Sequence, residues 1–248
     1  MDLVRWIARF VLPNPVMNKS DEKWKGHRDS PPPGKLLLGS LRLVKPVSRN
    51  WGFDRGIPVD RYYIERFLAG SAADIRGRVL EVKSDVYTRT FGGGRVVSSD
   101  VLNLVEGNPE ATIVGDLAKL EHVATDSFDC IILTQTLQLI FDVRAALKTV
   151  YRILRPGGTL LLTVPGISKI AEDDEEGWED CWRFTTFSTR RLLEEAFCRS
   201  NVRVESRGNV LASIAFLHGL AAGELTEEEL DYQDIEFQML ITARAVKI

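Results

Sequence analysis

The sequence predicts an α/β fold: a doubly wound, mostly parallel seven-stranded sheet, an antiparallel last strand, and an N-terminal helical and extended arm. Three observations predict it. Short apolar runs occur at 78–82, 95–98, 111–114 and 128–133, a buried strand fits 159–164, further strands fit 202–206 and 236–246, and stretches of helical spacing separate several of them. Strands alternating with helices, buried and β-branched, mark a parallel sheet covered on both faces. A chain of 248 residues, 44% hydrophobic and 27% charged, can bury one such core and still carry a tail, and suits that better than two domains.

In chain order, Met1 to Leu12 reads as a short amphipathic helix ended by Pro13. Asp2, Arg5 and Arg9 lie along one stripe, and Leu3, Val4, Trp6, Ile7, Phe10, Val11 and Leu12 cover the rest. It lacks the small-residue cleavage site of a signal peptide. Three roles stay open: lying peripherally in a membrane interface, docking on a protein partner, or packing on its own domain or on the mate in a homodimer. Residues 13–56 are expected to be a linker or draped arm, with Pro31-Pro32-Pro33-Gly34-Lys35 as its stiffest part. The folded domain is expected over 57–248. No run reaches the ~18 apolar residues a membrane-spanning helix needs.

Within the domain, Asp60 is a plausible N-cap for a helix over 61–68. The strand runs at 78–82, 95–98, 111–114 and 128–133 follow. A helix fits 143–154 and is closed by Arg155-Pro156-Gly157-Gly158, a stop signal with a cation near the negative end of the helix dipole. Thr159 to Val164 is then a buried strand ended by Pro165-Gly166. An acidic loop at 172–176 precedes Trp178, Trp182 and Arg183. Ser188 is expected to cap a helix through Phe197, followed by a strand at 202–206, a helix at 210–222 and the closing strand.

The stretch from Arg78 to Gly94 looks like the first strand and loop of a Rossmann-like nucleotide-binding domain, with its glycines displaced. The turn after the strand normally holds glycines, because the backbone there lies against a cofactor with no Cβ between them. Here it reads Lys83-Ser84-Asp85-Val86-Tyr87, and the glycines come only at 92–94. Spacing adds a second sign. Glu81 is read as ending the first strand and Asp100 the second, 19 positions later, about where a carboxylate grips a nucleotide ribose through both hydroxyls.

Composition excludes several classes. A net charge of −3 gives no electrostatic footprint for nucleic acid. Cys130, Cys181 and Cys198 form no disulfide framework and no C-x-x-C pair, so a reducing cytoplasm is the expected setting, with the N-terminal helix leaving a peripheral membrane location open. With His27, His122 and His218 they show no metal-ligand spacing, and no metal is expected. Neither a Ser-His-Asp arrangement nor a phosphate-binding P-loop is present.

Phe128-Asp-Cys-Ile-Ile-Leu-Thr-Gln-Thr-Leu137, the helix after it, and Leu154-Arg-Pro-Gly-Gly-Thr-Leu-Leu-Leu-Thr-Val-Pro165 resemble the class I S-adenosylmethionine-dependent methyltransferases. In that superfamily these are the fourth strand, its helix, and a Pro-Gly-Gly turn into the fifth strand. The resemblance covers roughly 60–246 by pattern, with the Pro-Gly-Gly turn and its flanks as the specific part. Ile57-Pro-Val-Asp-Arg-Tyr-Tyr-Ile-Glu-Arg-Phe67 and Trp182-Arg-Phe-Thr185 look like a bacterial group often associated with glycosyltransferases, which implies a saccharide or other polar small molecule as acceptor.

The resemblance implies S-adenosyl-L-methionine as cofactor and assigns positions. Glu81 would lie near the methionine ammonium, Asp100 with Val101 beside it at the ribose, Asp116 at the adenine amine with Leu117 against the ring, and Thr134 and Gln135 where the methionine moiety passes. The chain departs from the family at the acid-x-Gly-x-Gly-x-Gly pattern, which becomes Glu81-Val-Lys83-Ser-Asp85-Val-Tyr87. Either Lys83 or Arg89 pairs with the cofactor carboxylate, or Gly92–Gly94 makes the close approach, or the site has decayed. An ordinary turn into the next strand also explains those glycines.

For chemistry, methyl transfer to a hydroxyl needs in-line approach and a group to take the proton. His218 is a candidate base by residue type, set against a core histidine on an apolar helix. Asp180 and Glu179 lie in the segment that covers the acceptor in related enzymes, set against a solvated acidic loop. Trp178 and Trp182 could stack on a sugar face, and Arg183 could grip an anion. The leading expectation is O-methylation of a polar acceptor. The rivals are a non-catalytic relative acting in partner binding, and a nicotinamide-dependent enzyme, which lacks its glycine fingerprint here.

Overall fold

The computed structural model describes Lys35, residues 39–173 and residues 178–248, and divides the chain into two units, Met1–Arg42 and Leu43–Ile248. The first unit's described residues include a 3-10 turn, Gly39–Arg42. The helix expected over 1–12 lies outside the described residues, as do Pro31–Gly34 and positions 174–177 of the acidic loop and its flank. The second unit begins at Leu43, inside the expected arm.

In the second unit, seven strands form one sheet. They are β1 (Gly77–Val82), β2 (Val96–Asn103), β3 (Ile113–Val114), β4 (Phe128–Thr134), β5 (Leu154–Pro165), β6 (Val202–Arg207) and β7 (Leu240–Val246). Their order is β3-β2-β1-β4-β5-β7-β6. Pairings among β1 to β5 are parallel, whereas β7 runs antiparallel to both β5 and β6. This is the Rossmann-like sheet with an antiparallel last strand that the apolar runs predict.

Alternation along the strands makes two cores. Leu80, Ile131, Leu133, Leu160 and Leu162 face one side, under helix α2 (Val143–Ile153) and helix α3 (Thr186–Glu194). Val79, Cys130, Ile132 and Leu161 face the other, under α1 (Val59–Gly70) and α4 (Val210–His218). Each of the large side chains among them is at most 1% exposed, so each contributes roughly 1.5–3 kcal/mol of burial.

The element ends differ from the sequence expectations for local reasons. Helix α1 starts at Val59 with Pro58 before it, and no side chain caps it. Pro58 is held by a bridge to Ala221, so Asp60 falls inside the first turn and is buried. Strand β2 runs to Asn103 because Ser98, Ser99 and Asp100 interrupt the apolar run without interrupting pairing to β1. Strand β5 begins at Leu154, with the Pro-Gly-Gly turn absorbed as an irregularity between Phe128 and Cys130 of its partner. Helix α3 is capped by Thr185, and Ser188 returns the bond from the third position. Helix α4 stops at His218 because Gly219 adopts a left-handed φ of 70°. A further helix, α5 (Glu227–Asp231), is capped by Thr226 and Glu229.

The connections leaving β1 and β4 diverge to opposite sides of the sheet. A crevice therefore opens beyond the C-terminal ends of these adjacent strands, which is where open α/β sheets bind ligands.

Candidate functional site

Two recesses occupy that crevice. The larger, about 760 Å³, is floored by Glu81, Val82 and Lys83 from β1 and its loop, and by Thr134, Gln135 and Gln138 after β4. Helix α1 supplies Asp60, Arg61 and Glu65, and the preceding segment supplies Trp51 and Phe53. The smaller, about 450 Å³, is lined by Leu102, Leu104, Gly115, Asp116, Leu117 and Phe141, among others. Val82, Thr136 and Leu139 line both, so the recesses adjoin.

Glu81, next to last in β1, lines the larger recess and is 3% exposed. One carboxylate oxygen accepts from Thr88 N and Thr88 Oγ1, both at 2.8 Å, and the other from Tyr87 N at 3.2 Å. Burial pushes this carboxyl up to about 7, against the opposing pull of those hydrogen bonds. Glu81 thus fixes the turn that starts at Val86 and continues as a π-helical turn, Thr88–Gly92.

Lys83 stands where the resembling family has its first glycine, and its φ is 68°, in the left-handed region. Its N–H donates to Leu102 O at 2.9 Å, and its carbonyl accepts from Asn108 Nδ2 at 2.7 Å. The backbone therefore makes the turn that glycine usually makes, with a Cβ in place. Gln135, at the end of β4, likewise has a φ of 47°. Both strained residues line the recess, and strain of this kind collects at ligand sites.

The other readings of the altered loop fit less well. Arg89 pairs with Asp85 at 2.8 Å and lies outside the recess. Gly92 packs near Ile75 and Val96, where the chain enters β2, at the opposite end of the sheet from the crevice. The glycine run is a turn into the strand.

Asp100 and Val101 line neither recess. Asp100 pairs with Leu80 in mid-strand; its carboxylate meets Arg78 Nε at 2.7 Å and Thr112 Oγ1 at 2.9 Å. Burial alone would raise this carboxyl, but those bonds hold it below the usual range. Val101 is 3% exposed inside the sheet. The spacing from Glu81 pointed to Asp100 because β2 was read as ending there; it continues three residues further, and Leu102 and Leu104 reach the recess instead. Asp116 and Leu117 do line the smaller recess. Asp116 Oδ1 accepts from Ala118 N at 2.9 Å, and Lys119 stands 3.5 Å from Oδ2. Thr134 lines the larger one.

The proposed acceptor residues divide. Asp180 lines the larger recess, but Arg183 reaches both of its oxygens, at 2.5 and 3.0 Å, and Ala171 N donates to Oδ2 at 2.8 Å. Arg183 also donates to Lys169 O at 2.5 Å, so both side chains brace the segment after β5. Trp182 donates to Ile140 O at 3.2 Å and tilts against Phe141 with ring centroids 5.8 Å apart, outside the larger recess. Trp178 belongs to a two-residue hairpin pairing with Asp173; its side chain lies outside the description. His218 lines neither recess. It ends α4, and its carbonyl accepts from Val47 N at 2.9 Å and Ser48 N at 3.0 Å.

Sequence reasoning missed Asp60, Arg61, Trp51, Phe53 and Gln138. Asp60 was read as a cap, and Trp51 and Phe53 lay in the presumed arm. Arg61 donates to Tyr87 OH at 3.0 Å, tying α1 to the loop. Among the described residues, no group of three or more His, Cys, Asp or Glu could hold a metal ion. The left-handed turn at Lys83, the hydrophobic slot at Leu117 and the open Thr134 edge together fit a nucleoside-bearing cofactor.

Comparison with known proteins agrees. A methyltransferase-domain family matches residues 94–162. A ubiquinone/menaquinone biosynthesis C-methyltransferase from Enterobacter sp. (strain 638) is 29% identical over 106 residues, 38% of this chain and 39% of that protein. Its counterpart from Haemophilus ducreyi is 36% identical over 90 residues, 36% of this chain and 29% of that one. The chain therefore spans well under half the length of these relatives. A methyltransferase structure from Archaeoglobus fulgidus, 12% identical, superimposes with a TM-score of 0.51 over 75% of this chain and 94% of that one, showing a shared fold.

Proposed function

We propose a function from this premise: the chain shares its fold with S-adenosylmethionine-dependent methyltransferases and matches a methyltransferase-domain family over residues 94–162. On our reading it transfers a methyl group from S-adenosylmethionine to a hydroxyl of a polar small molecule, a saccharide being the acceptor class its resemblances suggest. The observation that carries the reading is the pair of adjoining recesses at the β1/β4 crevice. One is narrow and apolar around Leu117. The other is roomy and lined by Asp60, Arg61 and Glu65.

In this reading the cofactor's adenine enters beside Gly115, Asp116 and Leu117, and its methionine end lies along Lys83, Glu81 and Thr134. When bound, the cofactor supplies an activated methyl group. The chain's own residues orient it through the left-handed turn at Lys83 and keep the acceptor side walled by Trp51, Phe53 and Tyr87. Ribose recognition is not assigned to Asp100, which Arg78 and Thr112 engage.

The matched relatives are C-methyltransferases by name; the hydrogen-bonding side chains of Asp60, Gln135 and Gln138 among the residues of the larger recess support a hydroxyl acceptor here. A non-catalytic role receives no support, because the altered loop keeps the turn's backbone conformation. Calorimetric titration with S-adenosylmethionine and S-adenosylhomocysteine tests the reading. Both are expected to bind, with Leu117→Arg abolishing binding. Absence of binding by either at millimolar concentration would end the proposal.

A further inference from the structure

Seven buried side-chain polar atoms among the described residues lack a hydrogen-bond partner, and three of them belong to residues lining the larger recess. They are Asp60 Oδ1, Gln135 Nε2 and Gln138 Oε1. Asp60 is 8% exposed and Gln138 6%. Buried polar groups are nearly always paired, so three orphans around one open space call for a ligand that pairs them.

Their chemistry narrows the ligand. The Asp60 oxygen accepts, the Gln138 oxygen accepts, and the Gln135 nitrogen donates. The Gln138 amide orientation is fixed, since its Nε2 donates to Gln135 O at 2.8 Å. An ammonium group could satisfy the two acceptors but offers nothing to Gln135 Nε2. A phosphate or carboxylate could accept from Gln135 but offers no donor to the Asp60 and Gln138 oxygens, and Asp60, Glu65, Glu81 and Asp180 outnumber Arg61 and Lys83 in the lining. Hydroxyl groups donate and accept, and two or more on one small molecule match all three atoms.

One further feature agrees. Trp51 and Phe53 give the same recess an aromatic wall, and Lys169 lies over the Trp51 ring at 3.3 Å, holding it in place.

We propose that Asp60, Gln135 and Gln138 form the binding site for a neutral, polyhydroxylated acceptor, held against the Trp51 and Phe53 wall. The identification of this ligand as an acceptor rests on the methyltransferase reading; the site itself does not.

The test is a nuclear magnetic resonance titration of the full chain, following the side-chain amides of Gln135 and Gln138. The probes are methyl α-D-glucopyranoside, myo-inositol and glycerol, with choline as the cationic and inorganic phosphate as the anionic comparison. At least one polyol is expected to shift both amides saturably, with a dissociation constant in the millimolar range. Asp60→Asn and Gln138→Leu should each weaken it about tenfold. Gln135→Leu serves if Asp60→Asn does not fold. No saturable shift up to about 200 mM, shifts unchanged in the variants, or tighter binding of choline or phosphate would overturn the proposal. S-adenosylhomocysteine is titrated into the same samples. Cofactor binding without polyol binding removes this inference alone, and polyol binding without cofactor binding removes the methyltransferase reading alone.

Discussion

Lys83 occupies a left-handed φ of 68° that a side chain disfavours by about 1–2 kcal/mol. Glycine would remove that cost while adding some freedom to the unfolded chain. Lys83→Gly is therefore expected to stabilise the protein by roughly 0.5 kcal/mol, read as a higher urea midpoint, without loss of cofactor affinity. A lower midpoint would mean that side-chain interactions of Lys83 outweigh its backbone cost. Glu81 gives a pH signature. Its carboxyl stands at about 7 in the fold against an ordinary 4.5, so the native state holds a proton that the unfolded chain releases first. The stability this provides is complete below about 4.5 and is lost as pH rises through about 7, on the order of 3 kcal/mol in all. Glu81→Gln should flatten the fall in stability between those pH values, and an unchanged slope would assign it to other groups. Asp100 makes the contrasting case. Asp100→Asn should cost about 1 kcal/mol through the Arg78 and Thr112 bonds and leave S-adenosylhomocysteine affinity within about threefold. Loss of binding would return Asp100 to the site.

At the scale of elements, the segment after β5 is braced rather than loose. Asp180 and Arg183 hold the carbonyls of Ser168 and Lys169 and the N–H of Ala171, while Cys181 N and Trp182 N both donate to Gln138 O. Arg183→Ala is expected to speed hydrogen exchange at Ala171 and Cys181 more than in β4 or β5, with a local cost of about 1–2 kcal/mol. Uniform exchange across the sheet would contradict this. Gly166 marks where the strand leaves the sheet, and a Cβ there would overlap the Gln238 carbonyl oxygen. Backbone cannot yield as a side-chain tip can, so Gly166→Ala should cost more than about 2 kcal/mol in urea unfolding. The strands were legible in the sequence because burial on both faces leaves an apolar run, as in 130–133. Register was not. Asp100 looked terminal because Ser98 and Ser99 are polar, although backbone pairing to Arg78 and Val79 continues whatever the side chains are.

For the whole molecule, the strand order puts the crevice at one place. Parallel strands, intervening helices and an antiparallel closing strand leave few topologies open. Asp116, Leu117 and Thr134, assigned from the resemblance to the methyltransferases, lie at the crevice because Thr134 ends β4 and the other two follow β3. Asp60, Trp51 and Phe53 could not be placed from the sequence. They come from before the first strand, and their positions depend on long-range docking. Val47 and Ser48 hang on the His218 carbonyl, and a Cβ on Gly52 would collide with Leu220. Gly56 and Pro58 meet Ala221.

That docking has a consequence for how the protein can change. Residues 43–56 are fastened to the domain through α4 and the turn after it and reach only the larger recess, while the smaller one is lined by Leu102 of β2 and by Asp116 and Leu117 just after β3. Exchanging the segment between Leu43 and Gly56 for one from a related chain would thus re-cut the entrance to one chamber and leave the other untouched. On the proposed methyltransferase reading, selection on what is modified can proceed in this short, early-encoded strip, independently of selection on what holds the cofactor's adenine.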